Sequence, residues 1–320
     1  MQQPTILVAE SVFAPRARAV LEQAGTVLDF ESPARFEEQL PQADAVVAGL
    51  EVRFDQPLLA RADRLWLLAS RTSQLRHVDL DEAHRRGIEI LFIDPNDPVL
   101  HNTSSTAEEA FALLLALARN LPWAFESTKA GRWERVRYGG IELRGKTLGI
   151  VGFGRLGRMV SGYAASFGMR VLAHDPYVDD AEIAGANATP VALDALLRES
   201  DAVSIHCTYS DETEGLLGAR EFELVKEGSL LVNTARGEIT DEAALLSALE
   251  SGRLAGAAVD TLTGELPDGA HLRDNALVEH ARAHENLIVL PHLGGATREA
   301  TERTQVYIAE RVVERLRDVT

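Results

Sequence analysis

The sequence predicts an α/β fold built from two doubly wound domains, each with a parallel sheet. Short apolar runs alternate with helical patterns along nearly the whole chain, as in parallel strands joined by crossover helices. A strongly apolar helical stretch, residues 105–122, divides the runs into two series, and 320 residues allow two separate cores. We therefore expect residues 1–100 and 296–320 in one domain and residues 101–295 in the other.

Four runs rich in Val, Ile and Leu predict the strands of the first domain: TILVAE, AVVAGL, LWLLAS and IEILFID. The apolar helical stretch follows. Ser105 with Glu108 three residues later has the spacing of a capping box, so we expect the helix to be capped by Ser105.

Six further runs predict buried strands of the second domain: KTLGIVG, MRVLAHD, AVSIHC, SLLVNT, GAAVD and LIVLPH. Residues 263–286 are long and polar, which indicates a surface loop with one short helix. An amphipathic pattern over residues 298–319 predicts a helix that closes the chain.

The composition limits the classes of partner and cofactor. Asp and Glu number 49 against 32 Lys and Arg, a net charge of −17 that disfavours binding to nucleic acid or anionic membranes. The single cysteine, Cys207, excludes an internal disulfide, and we expect no metal site. The N-terminal residues lack a signal-peptide pattern and the apolar run Ala110–Ala118 is too short to span a bilayer, so we expect a soluble cytoplasmic protein.

A glycine motif follows the first strand of the second series. Gly152, Gly154 and Gly157 have G-x-G-x-x-G spacing between a predicted strand and a predicted helix, the context in which this motif binds a dinucleotide pyrophosphate. Asp175 ends the next strand, where an acidic residue accepts hydrogen bonds from a ribose diol and repels a 2′-phosphate. The motif predicts a Rossmann domain that binds NAD rather than NADP; a glycine-rich turn without a ligand is the alternative.

Three charged residues follow later strands of the same series: Arg236, Asp260 and His292. Ligands of open α/β sheets lie beyond the carboxyl ends of the strands, so these side chains should face the nicotinamide. A histidine is suited to carry a proton near neutral pH, and Glu265 would stabilise its charged form and fix its tautomer. Arg236 would hold a carboxylate, so the set suits hydride transfer on a 2-hydroxy acid.

The chain resembles the D-isomer-specific 2-hydroxyacid dehydrogenases over nearly its whole length, and most closely the D-3-phosphoglycerate dehydrogenase branch in a short form without regulatory domains. The resemblance rests on the motifs GRWER, ELRGKTLGIVGFGRLG, SFGM, NTARGEITDEAALLSAL, GAAVD and PHLGGATREA. It implies a Rossmann NAD-binding domain, a flavodoxin-like substrate domain and a homodimer formed through the NAD-binding domains. An arm over residues 121–144, with Trp123 and Trp133, would reach the partner; core packing is the alternative for these tryptophans.

The resemblance also implies roles for individual residues. Arg236 would bind the substrate, Glu265 and His292 would form the acid/base pair, and Asp260 would contact the nicotinamide carboxamide. Further cofactor-binding residues implied in this way are Arg155, Leu156, His206, Cys207, Thr213, Thr234, Ala235, Gly294 and Gly295.

The predicted substrate loop departs from the family pattern. Where the family has a glycine-rich loop, residues 71–79 read RTSQLRHVD, and Gly49 stands where the phosphoglycerate branch carries an arginine. We expect Arg71 and Arg76 to supply positive potential for a substrate with a second anionic group, and the candidate substrate-binding residues of the loop are Arg71, Ser73, Gln74, Leu75 and Arg76. Exposed turn arginines are the alternative.

Three other functions stay open on the sequence alone. A non-catalytic NAD(H)-sensing protein on the same fold could retain Arg236, Glu265 and His292. A hydroxypyruvate or glyoxylate reductase would share the reaction type. A formate dehydrogenase pairs its histidine with glutamine, and Glu265 disfavours this alternative.

Overall fold

The structure is a computed structural model that describes residues 3–72, 75, 77–94, 96–266 and 269–319. It divides into two compact units. The first unit comprises Met1–Thr103 and Thr297–Thr320, and the second comprises Ser104–Ala296. Each contains one sheet whose neighbouring strands pair in parallel, so the predicted fold class is confirmed.

The sheet of the first unit has the order β2-β1-β3-β4-β5. Its strands are β1 Thr5–Ala9, β2 Thr26–Leu28, β3 Ala45–Ala48, β4 Leu67–Ser70 and β5 Glu89–Phe92. The order is that of flavodoxin-like folds, and it reverses between β1 and β3. The sequence did not predict β2, because a strand of three residues is too short to show a pattern.

Helices cover both faces of this sheet: α1 Pro15–Leu21, α2 Pro33–Gln39, α3 Gln56–Leu59, α4 Leu80–Arg85, α5 Pro98–His101 and, numbered by its place in the chain, α14 Arg298–Val319. Ser32, Asp55 and Asp79 cap α2, α3 and α4 by accepting hydrogen bonds from backbone N–H groups. The closing helix α14 has the predicted bounds. Ile308, Val312 and Leu316 recur every four residues on its buried stripe.

The sheet of the second unit has the order β12-β11-β10-β9-β6-β7-β8. Its strands are β6 Thr147–Val151, β7 Arg170–His174, β8 Thr189–Pro190, β9 Ala202–Ile205, β10 Ser229–Asn233, β11 Leu254–Val259 and β12 Leu287–Val289. This is the Rossmann order extended by one strand, with the reversal between β6 and β9. The two-residue strand β8 was not predicted, again because it is too short to show a pattern.

The helices of the second unit are α6 Ser105–Ala118, α7 Leu121–Lys129, α8 Arg155–Ser166, α9 Asp180–Gly185, α10 Leu193–Glu199, α11 Ala219–Leu224, α12 Glu242–Glu250 and α13 Ala276–Ala283. The predicted cap of α6 is wrong by one residue. Ser104 is the N-cap and its hydroxyl donates to Glu108 at 2.5 Å, while the Ser105 hydroxyl lies buried inside the first turn. Among the described residues, no helix is both long and apolar enough to cross a membrane.

Candidate active site

The glycine motif forms a tight cradle between β6 and α8. Gly152 has φ +90°, and a Cβ there would lie 2.3 Å from the backbone nitrogen of Cys207. A Cβ on Gly157 would lie 2.3 Å from the Gly152 carbonyl oxygen, so this glycine permits close packing of helix on strand. Gly154 is the N-cap of α8 with no side-chain cap, and the space at its Cβ position is open. The helix therefore presents uncapped N–H groups where a pyrophosphate would bind.

Asp175 lies at the carboxyl end of β7 and is tied to this cradle. Its Oδ2 accepts a hydrogen bond from the backbone of Phe153 at 2.7 Å, and its Oδ1 accepts one from Tyr177 at 2.9 Å. Each carboxylate oxygen can accept a second hydrogen bond, so Asp175 can hold the glycine loop and still receive a ribose hydroxyl. The cradle and Asp175 together fit a dinucleotide.

Three of the other predicted cofactor residues, His206, Cys207 and Thr213, bring no positive charge to this edge. Burial lowers the pKa of His206 to about 4, and its Nε2 pairs with the Ser204 hydroxyl at 2.8 Å. Burial raises the pKa of the Cys207 thiol to about 11, so the thiol is neutral. Thr213 is engaged within its own loop, where its hydroxyl donates to the Thr208 carbonyl at 2.7 Å. Their contacts to a cofactor stay predictions.

The three charged residues predicted at strand ends follow neighbouring strands. Arg236, Asp260 and His292 come after β10, β11 and β12, which lie side by side in the sheet. The backbone of His292 donates to the Asp260 carbonyl at 2.9 Å, which joins the ends of β11 and β12. Sheet order thus brings together residues that are far apart in sequence.

His292 and Glu265 form a hydrogen-bonded pair. Nδ1 of His292 lies 2.7 Å from Oε2 of Glu265, and Oε1 of Glu265 accepts a hydrogen bond from the backbone of Leu262 at 3.0 Å. Burial by itself would raise the pKa of Glu265, but the His292 hydrogen bond and charge, with the charge of Arg236, leave that pKa below its ordinary value. The carboxylate is therefore ionised at neutral pH and can orient the imidazole.

Arg236 is brought to this pair by a glycine. A Cβ on Gly237 would lie 2.3 Å from the Leu262 carbonyl carbon and 2.4 Å from the Thr263 nitrogen, so only glycine lets the two loops pack this closely. The buried Asn233 shapes the same turn: its side chain donates to the Arg236 carbonyl at 2.8 Å and accepts from Ala235 at 3.0 Å. Neither Gly237 nor Asn233 was predicted from the sequence as part of the site.

Asp260 fixes the turn that carries His292. Its side chain is 1% exposed, and its carboxylate accepts hydrogen bonds from the backbones of Leu293 at 2.6 Å and Gly294 at 2.9 Å. His292 itself has φ +54°, a conformation that is costly for a residue with a side chain. The two hydrogen bonds to Asp260 hold the backbone in this turn.

Glu109 is a fourth acidic residue here that sequence reasoning missed. Its Oε2 is buried and receives no hydrogen bond from the described residues, while the Asp260 carboxylate is its neighbour. Two facing carboxyl groups bond to each other only when one holds a proton. Burial and the charge of Asp260 raise the pKa of Glu109 to about 8, so Glu109 is the protonated member. An acidic residue beside Glu108 on a predicted helix gave no signal for this role.

The predicted substrate loop belongs to the first unit. Ser73, Gln74 and Arg76 lie outside the described residues. Arg71 is half-buried, and its Nε donates to Oε2 of the buried Glu10 at 2.9 Å. Glu10 therefore pairs with the charge of Arg71, and a role of Arg71 in substrate binding stays a prediction.

Comparison with known proteins places this geometry in a family. Residues 111–294 match the model of the D-isomer specific 2-hydroxyacid dehydrogenase, NAD binding domain. The chain belongs to this dehydrogenase family. Its second unit is accordingly the family's NAD-binding domain, and the resemblance stated from the motifs is confirmed.

Individual members of the family extend the match beyond that domain. D-3-phosphoglycerate dehydrogenase of Archaeoglobus fulgidus is 36% identical over 311 residues, which are 96% of this chain and 56% of that protein. The TT0316 protein of Thermus thermophilus is 32% identical with a TM-score of 0.78, covering 98% of this chain and 96% of its own. D-lactate dehydrogenase of Aquifex aeolicus, solved with NAD and lactic acid, is 26% identical with a TM-score of 0.78. The match covers 98% of this chain and 96% of that protein. The chain spans about half the length of the first of these relatives.

Proposed function

We propose that this chain is an NAD-dependent dehydrogenase that interconverts D-2-hydroxy acids and 2-oxo acids. The observation that carries the proposal is the pairing of His292 with Glu265 at 2.7 Å, beside Arg236 and in the same domain as the dinucleotide cradle. The match to an NAD binding domain supports the cofactor, and the named relatives support the class of substrate.

The roles of the chain's own residues follow from this geometry. A bound nicotinamide dinucleotide supplies the two-electron redox chemistry, held by Gly152, Gly154 and the N-terminus of α8. Glu265 engages Nδ1 of His292, which leaves Nε2 as the atom that gives a proton to the substrate oxygen or takes one from it. The planar guanidinium of Arg236 binds the substrate carboxylate.

The direct test is oxidation of NADH with a panel of 2-oxo acids. We expect turnover with at least one of them, formation of the D-isomer of the hydroxy acid, and a lower rate with NADPH. Tight NADH binding without turnover of any acid would refute the dehydrogenase and favour the NAD(H)-sensing alternative. Turnover of formate would favour the formate dehydrogenase alternative.

We also propose that the chain forms a homodimer through the arm over residues 121–144. Trp123 is partly buried and packs against the core, whereas Trp133 is 86% exposed. The exposed apolar residues of the arm are Leu121, Phe125, Trp133, Val136 and Ile141. A cluster of this kind supports a protein–protein contact.

A cytoplasmic location stays a prediction from the sequence.

Light scattering after gel filtration tests the dimer. We expect the wild-type chain to have twice the monomer mass and the double variant Trp133→Ser, Val136→Ser to be monomeric. The matched control is Tyr177→Ser with Val12→Ser, which removes one exposed aromatic and one exposed valine outside the arm. A monomeric wild-type protein, or equal dissociation in both double variants, would contradict the proposal.

A further inference from the structure

Glu109 of α6 lies against the turn that carries His292. A Cβ on Gly294, two residues after His292, would lie 2.9 Å from Glu109 Oε2 and 3.2 Å from Asp260 Oδ2. The two carboxyl groups therefore meet beside the backbone of this turn. All four residues belong to the second unit.

Asp260 holds the turn by its hydrogen bonds, and Glu109 faces the same carboxylate. The two oxygens of Asp260 accept from the backbones of Leu293 and Gly294, and each can accept one more hydrogen bond. Glu109 Oε2 is buried, with the Asp260 carboxylate as its polar neighbour. A buried polar atom without a hydrogen bond is destabilising, and a proton on Glu109 turns this contact into a hydrogen bond to Asp260.

The charged groups around α6 favour the protonated form of Glu109. The main elements packed on α6 are α7, α8, β10 and β11, and the titratable residues that they carry, with the residue after β11, are Glu126, Lys129, Arg155, Arg158, Tyr163 and Asp260. His292, on the neighbouring turn, is paired with Glu265. Among the described residues, Asp260 is the charged group that acts on Glu109, and burial and this charge raise the pKa of Glu109 to about 8.

We infer that Glu109 is a positioning residue: as a neutral acid it donates to Asp260 and thereby holds the turn that carries His292 in its active geometry. Ionisation of Glu109 would place two carboxylates in one buried space, where their repulsion is weakly screened. Asp260 could then move away only by giving up its hydrogen bonds to Leu293 or Gly294, and the backbone of His292, with its φ of +54°, would lose its support. The inference rests on the proposed function, in which His292 moves the proton.

Hydroxy acid oxidation separates the titration of Glu109 from that of His292. In this direction His292 takes a proton from the substrate, so it must be neutral, and its titration makes kcat/KM rise with pH. The thiol of Cys207 has a pKa of about 11 and titrates at higher pH. A fall of kcat/KM as pH rises through about 8 therefore reports the loss of the Glu109 proton.

The kinetic test measures kcat/KM for NAD with saturating D-lactate or D-glycerate. The wild-type value should fall about tenfold between about pH 8 and about pH 9.5. Glu109→Gln, whose amide can still donate to Asp260, should keep the neutral-pH value within about twofold and lose this fall. Glu109→Ala, which cannot donate, should be lower by about tenfold or more at every pH.

A spectroscopic measurement follows the proton itself in the protein without cofactor. Infrared spectroscopy should show the C=O stretch of a protonated carboxyl group that disappears as pH rises through about 8. The band should be absent from Glu109→Gln. This measurement requires no turnover.

Glu108→Gln is the matched control. Glu108 precedes Glu109 on the same helix, is exposed and accepts from the Ser104 hydroxyl, so the alkaline fall and the infrared band should both persist in this variant. A wild-type protein without the alkaline fall or without the band would overturn the inference even if Glu109→Gln failed to fold, and so would a fall that persists in Glu109→Gln. Absence of turnover with any hydroxy or oxo acid would instead refute the proposed function, and the role of Glu109 in it.

Discussion

Glu265 Oε2 lies 2.7 Å from Nδ1 of His292, a residue 27 positions later in the chain. The pair exists because the loop after β11 returns to the end of β12, the strand beside it. Since Glu265 fixes one ring nitrogen, the other is oriented for proton transfer. We therefore expect loss of the His292 side chain to lower the rate of catalysis and to leave cofactor binding nearly unchanged.

Replacing His292 by alanine should lower kcat by about two to four orders of magnitude, because the proton would have to come from water. Binding of NADH, measured by fluorescence titration, should change little, since the glycine cradle is untouched. His284→Ala is the control, as this histidine stacks on His280 rather than on the acid/base pair. Near-normal turnover by His292→Ala would exclude it as the proton carrier.

Replacing Asp175 by alanine should weaken NAD binding roughly tenfold or more through loss of hydrogen bonds to a charged acceptor. It should also narrow the preference over NADP, because repulsion of the 2′-phosphate disappears. The measurement is kcat/KM with NAD and with NADP for the wild type and the variant. Asp179→Ala is the control, since the Asp179 side chain makes no cap hydrogen bond to α9. Equal use of NAD and NADP by the wild type would be incompatible with the assigned role.

Glu109→Gln should alter how stability depends on pH. The pKa of Glu109 is raised to about 8 in the folded chain, so the folded state keeps a proton that the unfolded state releases above about pH 4.5. This contribution to the free energy of unfolding is present at low pH and is lost as pH rises towards about 8. Glutamine does not titrate and its amide can still donate to Asp260.

Urea unfolding at about pH 6 and about pH 8.5 measures the effect. The variant should lose less stability than the wild type between these two conditions. Glu108→Gln, on the exposed side of the same helix, should behave like the wild type. An unchanged pH dependence in Glu109→Gln would show that Glu109 is ionised throughout.

Arg71→Ala should lower the free energy of unfolding by on the order of 3 kcal/mol, because it leaves the buried Glu10 carboxylate without its cation. Arg315→Ala removes the same kind of partner from Glu89, whose side chain is 37% exposed, and should lower the free energy of unfolding much less, because water screens an exposed ion pair. Urea unfolding of both variants provides the comparison. Equal costs would mean that water reaches Glu10.

Most of the fold could be predicted from the sequence. Ten of the strands, the closing helix and the glycine cradle followed from apolar periodicity and from glycine spacing. These features are local, since they depend on residues close together along the chain. The two missed strands, β2 and β8, are too short to carry such a pattern and are held by their neighbours in the sheets.

The sequence by itself determined the fold class, the dinucleotide cradle and the identity of Arg236, Glu265 and His292 as candidates. Only the tertiary structure decided which charges face one another. Glu10 is hydrogen-bonded to Arg71, which lies 61 positions later in the chain, and to Gln305, which lies 295 positions later. Glu109 lies beside Asp260 because of the packing of α6 in the second unit. Burial and charge pairing depend on neighbours in space, and local sequence patterns do not specify these neighbours.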